Sequence, residues 1–239
     1  MADAPKAWRA HEHGPIRKLA ENLWWVDGSL PKMPLRRVMT VVRMQDGGLV
    51  VHSAIALNEA AMTELEAWGT PRFLIVPNAF HRLDAPAYKE RYPQIRVFAP
   101  SGSRAKVAEV IRVDSALEVF PGDPSVEVAP LAGIRDAEMA MIVRSKDGTT
   151  VVLNDAVFNM DKKKDLLGNL ITTAFGSAPG PRVSRLFKLL AVKDAKALRA
   201  DLERLAALPG LTRLIVAHEK VASGPDAAAA LRAAATFLK

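Results

Sequence analysis

The sequence predicts an α/β fold in which two mixed β-sheets pack face to face with helices on both outer faces, a four-layer αββα sandwich. Asp-Gly pairs at residues 46–47 and 147–148 lie between strand-like apolar runs and indicate a β-hairpin in each half of the chain. Strand and helix patterns follow each hairpin. No stretch rich in Gly, Ser or Pro divides the chain, so we expect a polar arm over residues 1–20 and a single domain over residues 21–239.

The elements of the first half follow from apolar runs and from helix caps. Asn58 is placed to cap a helix that Gly69 ends, and Asp84 is placed to cap a second helix with Pro86 in its first turn. In chain order we expect strands over residues 22–26, 37–44 and 48–52, a helix over 59–68, a strand over 72–76, a helix over 84–92, a strand over 95–98 and a helix over 103–111.

The second half begins with three strands and ends with a strand between two helices. Leu198, Leu202 and Leu205 repeat at helical spacing, and Pro209-Gly210 ends that helix. Residues 159–192 are irregular and basic. The expected elements are strands over residues 125–129, 137–144 and 149–154, a helix over 194–208, a strand over 213–217 and a helix over 225–238.

The composition is that of an ordinary globular protein and excludes several classes of site. Hydrophobic residues make up 49% and charged residues 25% of the 239 residues, and no apolar run approaches the roughly 20 residues that span a bilayer. The absence of cysteine excludes disulfides, thiolate metal sites and thiol nucleophiles, and it is compatible with the cytoplasmic location that we expect. The net charge of +7 is spread along the chain without a nucleic-acid motif, so no nucleic-acid partner is expected.

Three short apolar runs are each followed by polar residues that can bind a metal. The run at 73–76 precedes His81 and Asp84, the run at 151–153 precedes Asp155, and the run at 214–217 precedes His218. Strand ends are where α/β folds assemble their sites. We therefore expect these side chains to meet at one edge of the sheets.

The order of elements and these motifs resemble the metallo-β-lactamase superfamily over most of residues 20–239. The family motif Thr-His-x-His-x-Asp-His aligns after the strand at 74–76, and the motif Gly-His-Thr aligns with residues 133–135. The family's Gly-Asp and late-histidine motifs match Asp155 and His218, although Glu219 replaces the glycine that often follows. The family's other ligand positions fall on Asn78, Phe80, Arg82, Leu83 and Ile134.

A branch of the superfamily with a domain of unknown function is also similar. The likeness rests on Asn78-x-x-His81, on Asn154-Asp155 and on His218. The resemblance implies a degenerate form of the family's metal site.

The number of histidines limits the metal site that the resemblance implies. The family's dinuclear site takes about five histidines and two aspartates. The chain has five histidines in total, and His11 and His13 lie in the polar arm, where a solvated tail is the expected structure. The sequence therefore predicts at most one metal ion (zinc, iron or manganese), or none, with His81, Asp155 and His218 as the candidate ligands.

Six further residues are candidates for the cleft around these ligands. His52 also fits a hydrogen-bonded residue at a strand end, and Asp84 also fits a helix cap. Arg82 is a cation where the family has a carboxylate, so it would repel a metal and could hold a small anionic ligand. The six candidates are His52, Asn78, Arg82, Asp84, Asn154 and Glu219.

The basic segment 161–190 is a second candidate for function. Leucines and a phenylalanine alternate with Arg182, Arg185 and Lys188 near its end. Such a segment can form a lid over the cleft, a surface for a partner or an anionic membrane, or a solvated basic face over a core-facing stripe.

Two hypotheses about function follow. In the first, the metal site is degenerate and the protein binds a ligand or a partner without catalysis, because most family ligands are replaced. In the second, His81, Asp155 and His218 hold one metal in a hydrolase that acts on a small ester, thioester or related substrate.

Overall fold

Two mixed β-sheets form the centre of the molecule and confirm the predicted α/β sandwich. The structure is a computed structural model that describes residues 8–31, 33–162, 164–218 and 220–239. The first sheet has seven strands in chain order, with three antiparallel pairs followed by three parallel pairs. Its strands are β1 (Arg17–Ala20), β2 (Leu23–Leu30), β3 (Met33–Arg43), β4 (Gly48–His52), β5 (Thr70–Ile75), β6 (Arg96–Ala99) and β7 (Ser115–Ala116).

The second sheet has five strands in the order β12-β11-β10-β9-β8. The central pair β10 and β11 is parallel, and the other pairs are antiparallel. Its strands are β8 (Val126–Pro130), β9 (Met139–Ser145), β10 (Gly148–Val152), β11 (Leu211–Ile215) and β12 (Ala222–Ser223).

Helices cover the outer face of each sheet. On the first sheet they are α1 (Glu59–Trp68), α2 (Ala85–Arg91) and α3 (Arg104–Ala108), and a short 3-10 turn covers Leu117–Val119. The helices of the second half are α4 (Leu166–Ala174), α5 (Arg185–Ala191), α6 (Ala195–Ala206) and α7 (Pro225–Ala235). The irregular segment predicted over residues 159–192 therefore contains two helices, and that prediction is corrected.

Three apolar clusters separate the four layers. One cluster joins the facing sides of the sheets, with Trp25 and Phe73 from the first sheet and Val152 and Ile215 from the second. A second fills the space between the first sheet and its helices, and a third fills the space between the second sheet and α5, α6 and α7. Burial of these alternating side chains on both faces of each sheet is what holds the strands in register.

The described part of the predicted arm packs against the first sheet. β1 pairs with β2, the indole of Trp8 donates a hydrogen bond to the Leu57 carbonyl at 2.9 Å, and His13 Nε2 accepts one from the Asn58 N–H at 2.9 Å. These contacts place residues 8–20 at the edge of the sheet. For these residues, the prediction of a solvated tail, which rested on their polarity, is wrong.

Candidate metal centre

The ends of four strands meet at one edge of the sandwich. β4 and β5 run in parallel, and β10 and β11 run in parallel, so the residues that follow them come together between the two sheets. Ser53 follows β4 with a left-handed φ of 57°, and the loop that carries Asn78 and His81 follows β5. Asp155 follows β10 and His218 follows β11.

His81, Asp155 and His218 form the one cluster of metal-ligating side chains found among the described residues, with ligand atoms within 4.8 Å of one another. Asp155 Oδ1 lies 3.4 Å from His81 Nε2 and 3.5 Å from His218 Nε2. These distances exceed the roughly 2.7–3.2 Å of a protein hydrogen bond. Ligand atoms about 2.1 Å from a tetrahedral metal lie about 3.4 Å apart. The spacing therefore fits three ligands of one metal better than it fits direct hydrogen bonds.

The second nitrogen of each histidine has its own partner. His218 Nδ1 lies 2.6 Å from the Arg36 carbonyl oxygen, which can only accept, so Nδ1 donates and, in the neutral ring, Nε2 keeps its lone pair. His81 Nδ1 lies 3.1 Å from Ser53 Oγ. Partners of this kind fix the orientation of metal-binding imidazoles.

Asn78 holds the carboxylate and the histidine loop together. Its amide nitrogen donates a 2.7 Å hydrogen bond to Asp155 Oδ2, which leaves Oδ1 turned toward the histidines. Its amide oxygen accepts from the backbone N–H groups of Phe80 and His81 at 2.9 and 3.1 Å. Asn78 thus supports two of the three candidate ligands.

The electrostatics keep Asp155 ionised. Burial alone would raise the pKa of this carboxyl, but the charge of His81 and the contact with His218 outweigh burial and hold the pKa well below its usual range. The side chains of His81, Asp155 and His218 are 9, 14 and 7% exposed. An ionised carboxylate and two imidazoles, each neutral when it binds a metal, form a suitable donor set for zinc or iron.

Sequence reasoning missed Glu138. Its side chain is fully buried and accepts hydrogen bonds from the backbone N–H groups of Asn154, Asp155 and Ala156, at 2.7 to 3.2 Å. Burial, together with the charge of Asp155, raises the pKa of Glu138 to about 8. Glu138 therefore stabilises the turn that presents Asp155. It directly precedes β9, and no sequence motif at that position could have identified it.

The structure places two predicted cleft residues elsewhere. Arg82 contacts α3, where its guanidinium pairs with Glu109 at 2.9 Å and also bonds the Lys106 carbonyl, so its expected role as an anion-binding cleft residue is corrected. Asp84 precedes α2 but makes no capping hydrogen bond. It forms a buried 2.5 Å ion pair with Arg37 and accepts from the Ala56 N–H at 2.8 Å, so the predicted cap is also corrected.

The other predicted cleft residues lie near the cluster or outside the described residues. His52 ends β4 and is buried, and burial followed by the charge of His81 lowers its pKa to about 3. Asn154 is buried beside Asp155, and its side-chain nitrogen and oxygen have no hydrogen-bond partner within the described part of the chain. Glu219 lies outside the described residues.

Comparison with known proteins identifies the fold. No family model matches the chain, and no curated protein sequence matches it. A metallo-β-lactamase from Erythrobacter litoralis, solved with β-mercaptoethanol in its active site, is similar with a TM-score of 0.63 and 14% identity, covering 93% of this chain and 96% of that one. The DIM-1 metallo-β-lactamase, exposed to ceftazidime, is similar with a TM-score of 0.63 and 12% identity, covering 97% of this chain and all of that one (100%).

A third match agrees with these two. The metallo-β-lactamase from Pontibacter korlensis has a TM-score of 0.59 and 12% identity, with 93% of this chain and 97% of that chain covered. Sequence identities this low show only that the folds are similar. The chain has the metallo-β-lactamase fold along almost its full length, which confirms the resemblance predicted from the sequence.

In the described part of the chain, no helix is long and apolar enough to cross a membrane.

Proposed function

We propose that the protein is a mononuclear metal-dependent hydrolase that acts on a small ester, thioester or related substrate. The observation that carries this proposal is the convergence of His81 Nε2 and His218 Nε2 on Asp155 Oδ1, at 3.4 and 3.5 Å, the spacing of ligands on a tetrahedral metal. The partners of the two Nδ1 atoms support it, because they orient both imidazoles with Nε2 toward the carboxylate.

Each residue has a defined role in this proposal. Zinc, iron or manganese held by the three ligands would supply a Lewis acid that activates a water molecule at neutral pH. Asp155 provides the negative charge, and Asn78 keeps one of its oxygens away from the ligand position. Arg36 and Ser53 orient the imidazoles.

Hydrolysis of a model ester by tag-free protein tests the proposal. Protein dialysed against a chelator is supplied with zinc, manganese or ferrous iron and assayed with 4-nitrophenyl acetate and with an acyl thioester. We expect activity that depends on the metal and falls at least about 100-fold in His218→Ala and Asp155→Asn. The His11→Ala variant is the matched control, since His11 lies outside the cluster.

Ser53 offers a sharp alternative that the same assay decides. Its hydroxyl lies 3.1 Å from His81 Nδ1, so a serine nucleophile with His81 and Asp155 would give activity that persists in chelator and is lost in Ser53→Ala. That outcome would overturn the metal-dependent mechanism. Retention of metal-dependent activity in Ser53→Ala agrees with a supporting role for this serine.

A second candidate function is a catalytically silent binding or interaction protein with a degenerate site. It is favoured by the family ligand positions that carry no metal ligand here, among them Phe80, which is 71% exposed, and Ile134, which is buried in the apolar core. In this case the site would hold a small anionic ligand or no ligand at all. Protein that takes up no metal and hydrolyses neither substrate would favour this function.

Two further expectations belong with these proposals. We also propose that the chain belongs to the degenerate branch of the superfamily with a domain of unknown function, on the basis of the pattern of Asn78, His81, Asp155 and His218. The lack of cysteine supports a cytoplasmic location. Fractionation of cells that express the protein tests the location.

A further inference from the structure

An unusual number of apolar side chains is exposed on the two helices of the basic segment. Six of the eleven exposed large hydrophobic residues in the described part of the chain lie between residues 166 and 190. Leu166 is 86% exposed and Leu189 is 76% exposed, where a globular surface would ordinarily carry polar groups. We call these six side chains the leucine face: Leu166, Leu170, Phe175, Leu186, Leu189 and Leu190.

The exposed residues occur at helical spacing on the outward side of each helix. Leu166 and Leu170 are four residues apart on α4, and Leu186, Leu189 and Leu190 recur at three and four residues on α5. The opposite side of α5 is anchored to the core by Phe187 and Ala191. α5 is therefore held with its leucine side turned away from the protein.

The two helices are joined at their facing ends. The Arg185 N–H at the start of α5 donates a 2.9 Å hydrogen bond to the carbonyl of Phe175, which directly follows α4. Phe158, which precedes the segment, and Arg182, which lies within it, exchange two backbone hydrogen bonds at 2.8 and 2.9 Å. The ring of Phe158 stacks on the His218 imidazole, with centroids 5.3 Å apart. The segment is thus fixed to the domain beside the candidate metal centre.

The charge of the segment is positive. Residues 161–190 contain six basic and two acidic residues, a net charge of +4. The two carboxylates are already engaged, because Asp161 pairs with Lys220 at 2.6 Å and Asp165 caps α4. Arg185 is exposed next to the leucines of α5. Apolar side chains among cations suit a surface that offers both hydrocarbon and negative charge.

We propose that the leucine face docks onto an anionic membrane surface, with its leucines in the acyl boundary and its cations among lipid headgroups. A second copy of the chain fits less well, because a two-fold contact would bring the cations of the two copies against each other. The leucine face spans two helices that a backbone hydrogen bond between Arg185 and Phe175 joins, so a membrane surface can contact both. This inference does not depend on metal binding or on hydrolysis.

Vesicle flotation with the full chain tests the proposal. We expect binding to vesicles of phosphatidylcholine with about 30% phosphatidylserine, weak binding to phosphatidylcholine alone, and loss of binding as salt is raised. The triple variant Leu166→Ser, Leu170→Ser and Leu189→Ser should bind at least about tenfold more weakly. Val119→Ser, which replaces a 67% exposed residue far from this segment in the chain, is the matched control and should bind as the wild type does.

Three outcomes would overturn the docking proposal. The first is equal flotation of the triple variant and the Val119→Ser control, and the second is no flotation of the wild type with the anionic vesicles. The third is a stable dimer, measured by analytical ultracentrifugation, that the triple variant abolishes, since the occupant would then be a second copy. Circular dichroism of the triple variant confirms that its fold is intact, because all three leucines are exposed.

Discussion

The Arg36 carbonyl oxygen lies 2.6 Å from His218 Nδ1, a contact between residues 182 positions apart in the chain. Arg36 belongs to β3 of the first sheet, and His218 follows β11 of the second, so this hydrogen bond joins the two sheets at the candidate metal centre. Because a carbonyl cannot donate, the bond fixes the histidine tautomer and directs Nε2 toward Asp155. The fold itself therefore prepares one of the three ligands.

Removal of the Asn78 side chain should weaken metal binding. Asn78→Ala loses the donor to Asp155 and the acceptor for two backbone N–H groups, so we expect metal affinity to fall about 10–100-fold and the free energy of unfolding to fall by about 1–3 kcal/mol. Zinc titration calorimetry and urea unfolding measure the two effects.

Asn58→Ala is the matched control for this change. It removes the cap of α1 and should cost about 1 kcal/mol of stability while leaving metal affinity unchanged. Equal zinc affinity in the two variants would show that Asn78 does not orient Asp155.

Glu138 should make the metal-free protein less stable as pH rises. The pKa of Glu138 is raised from 4.5 to about 8, so between these values the folded state binds more protons than the unfolded state. Stability from this group is present below about pH 4.5 and is lost as pH rises through about 8, at up to about 1.4 kcal/mol per pH unit. Urea unfolding in chelator should show this slope in the wild type and a flatter one in Glu138→Gln. Parallel slopes in the two proteins would contradict this assignment.

The buried His52 should make the protein less stable as pH falls, which is the opposite direction to the effect of Glu138. Its pKa is lowered from 6.5 to about 3, so the folded state resists the proton that the unfolded state accepts. Stability is then present above about pH 6.5 and is lost as pH falls toward 3, at up to about 1.4 kcal/mol per pH unit. His52→Gln should unfold with a shallower acid dependence than wild type, whereas His11→Gln should retain the steep one. A steep slope in His52→Gln would assign the acid sensitivity to other groups.

The buried pair of Arg37 and Asp84 anchors the loop that carries His81. Replacement of one partner leaves a buried charge, so Arg37→Met should cost about 3–5 kcal/mol, and the double variant with Asp84→Asn should recover part of that loss. Arg199→Met breaks a half-exposed pair with Glu203 and should cost less than about 1 kcal/mol. Urea unfolding of the wild type, Arg37→Met, Asp84→Asn and the double variant gives the coupling energy, and additive losses would argue against a buried pair.

Much of the fold was predictable because its signals are local. The helix over 59–68 matches α1 at both ends, since Asn58 caps it and Gly69 closes it. The strand over 48–52 matches β4, and the two Asp-Gly hairpins are present. The short strands β1, β7 and β12 escaped prediction, because pairing with a neighbouring strand, rather than a residue pattern of their own, defines them.

The candidate site was predictable only in part. His81, Asp155 and His218 could be chosen because each follows an apolar strand, and the structure brings the three together. The Arg36 carbonyl and Glu138 could not be chosen, since each acts on backbone or ring atoms of residues that only the tertiary fold brings near. The roles predicted for Arg82 and Asp84 were wrong because the position of a residue along a loop does not show in which direction its side chain points.

The metal content of tag-free protein tests the central claim most directly. Protein is loaded with zinc, passed through a desalting column and analysed by plasma mass spectrometry beside the Asp155→Asn and His11→Ala variants. Three convergent ligands predict about one equivalent of metal in the wild type and in His11→Ala, and a loss of most of it in Asp155→Asn. Wild-type protein without bound metal, or Asp155→Asn with a full equivalent, would contradict a metal centre at His81, Asp155 and His218.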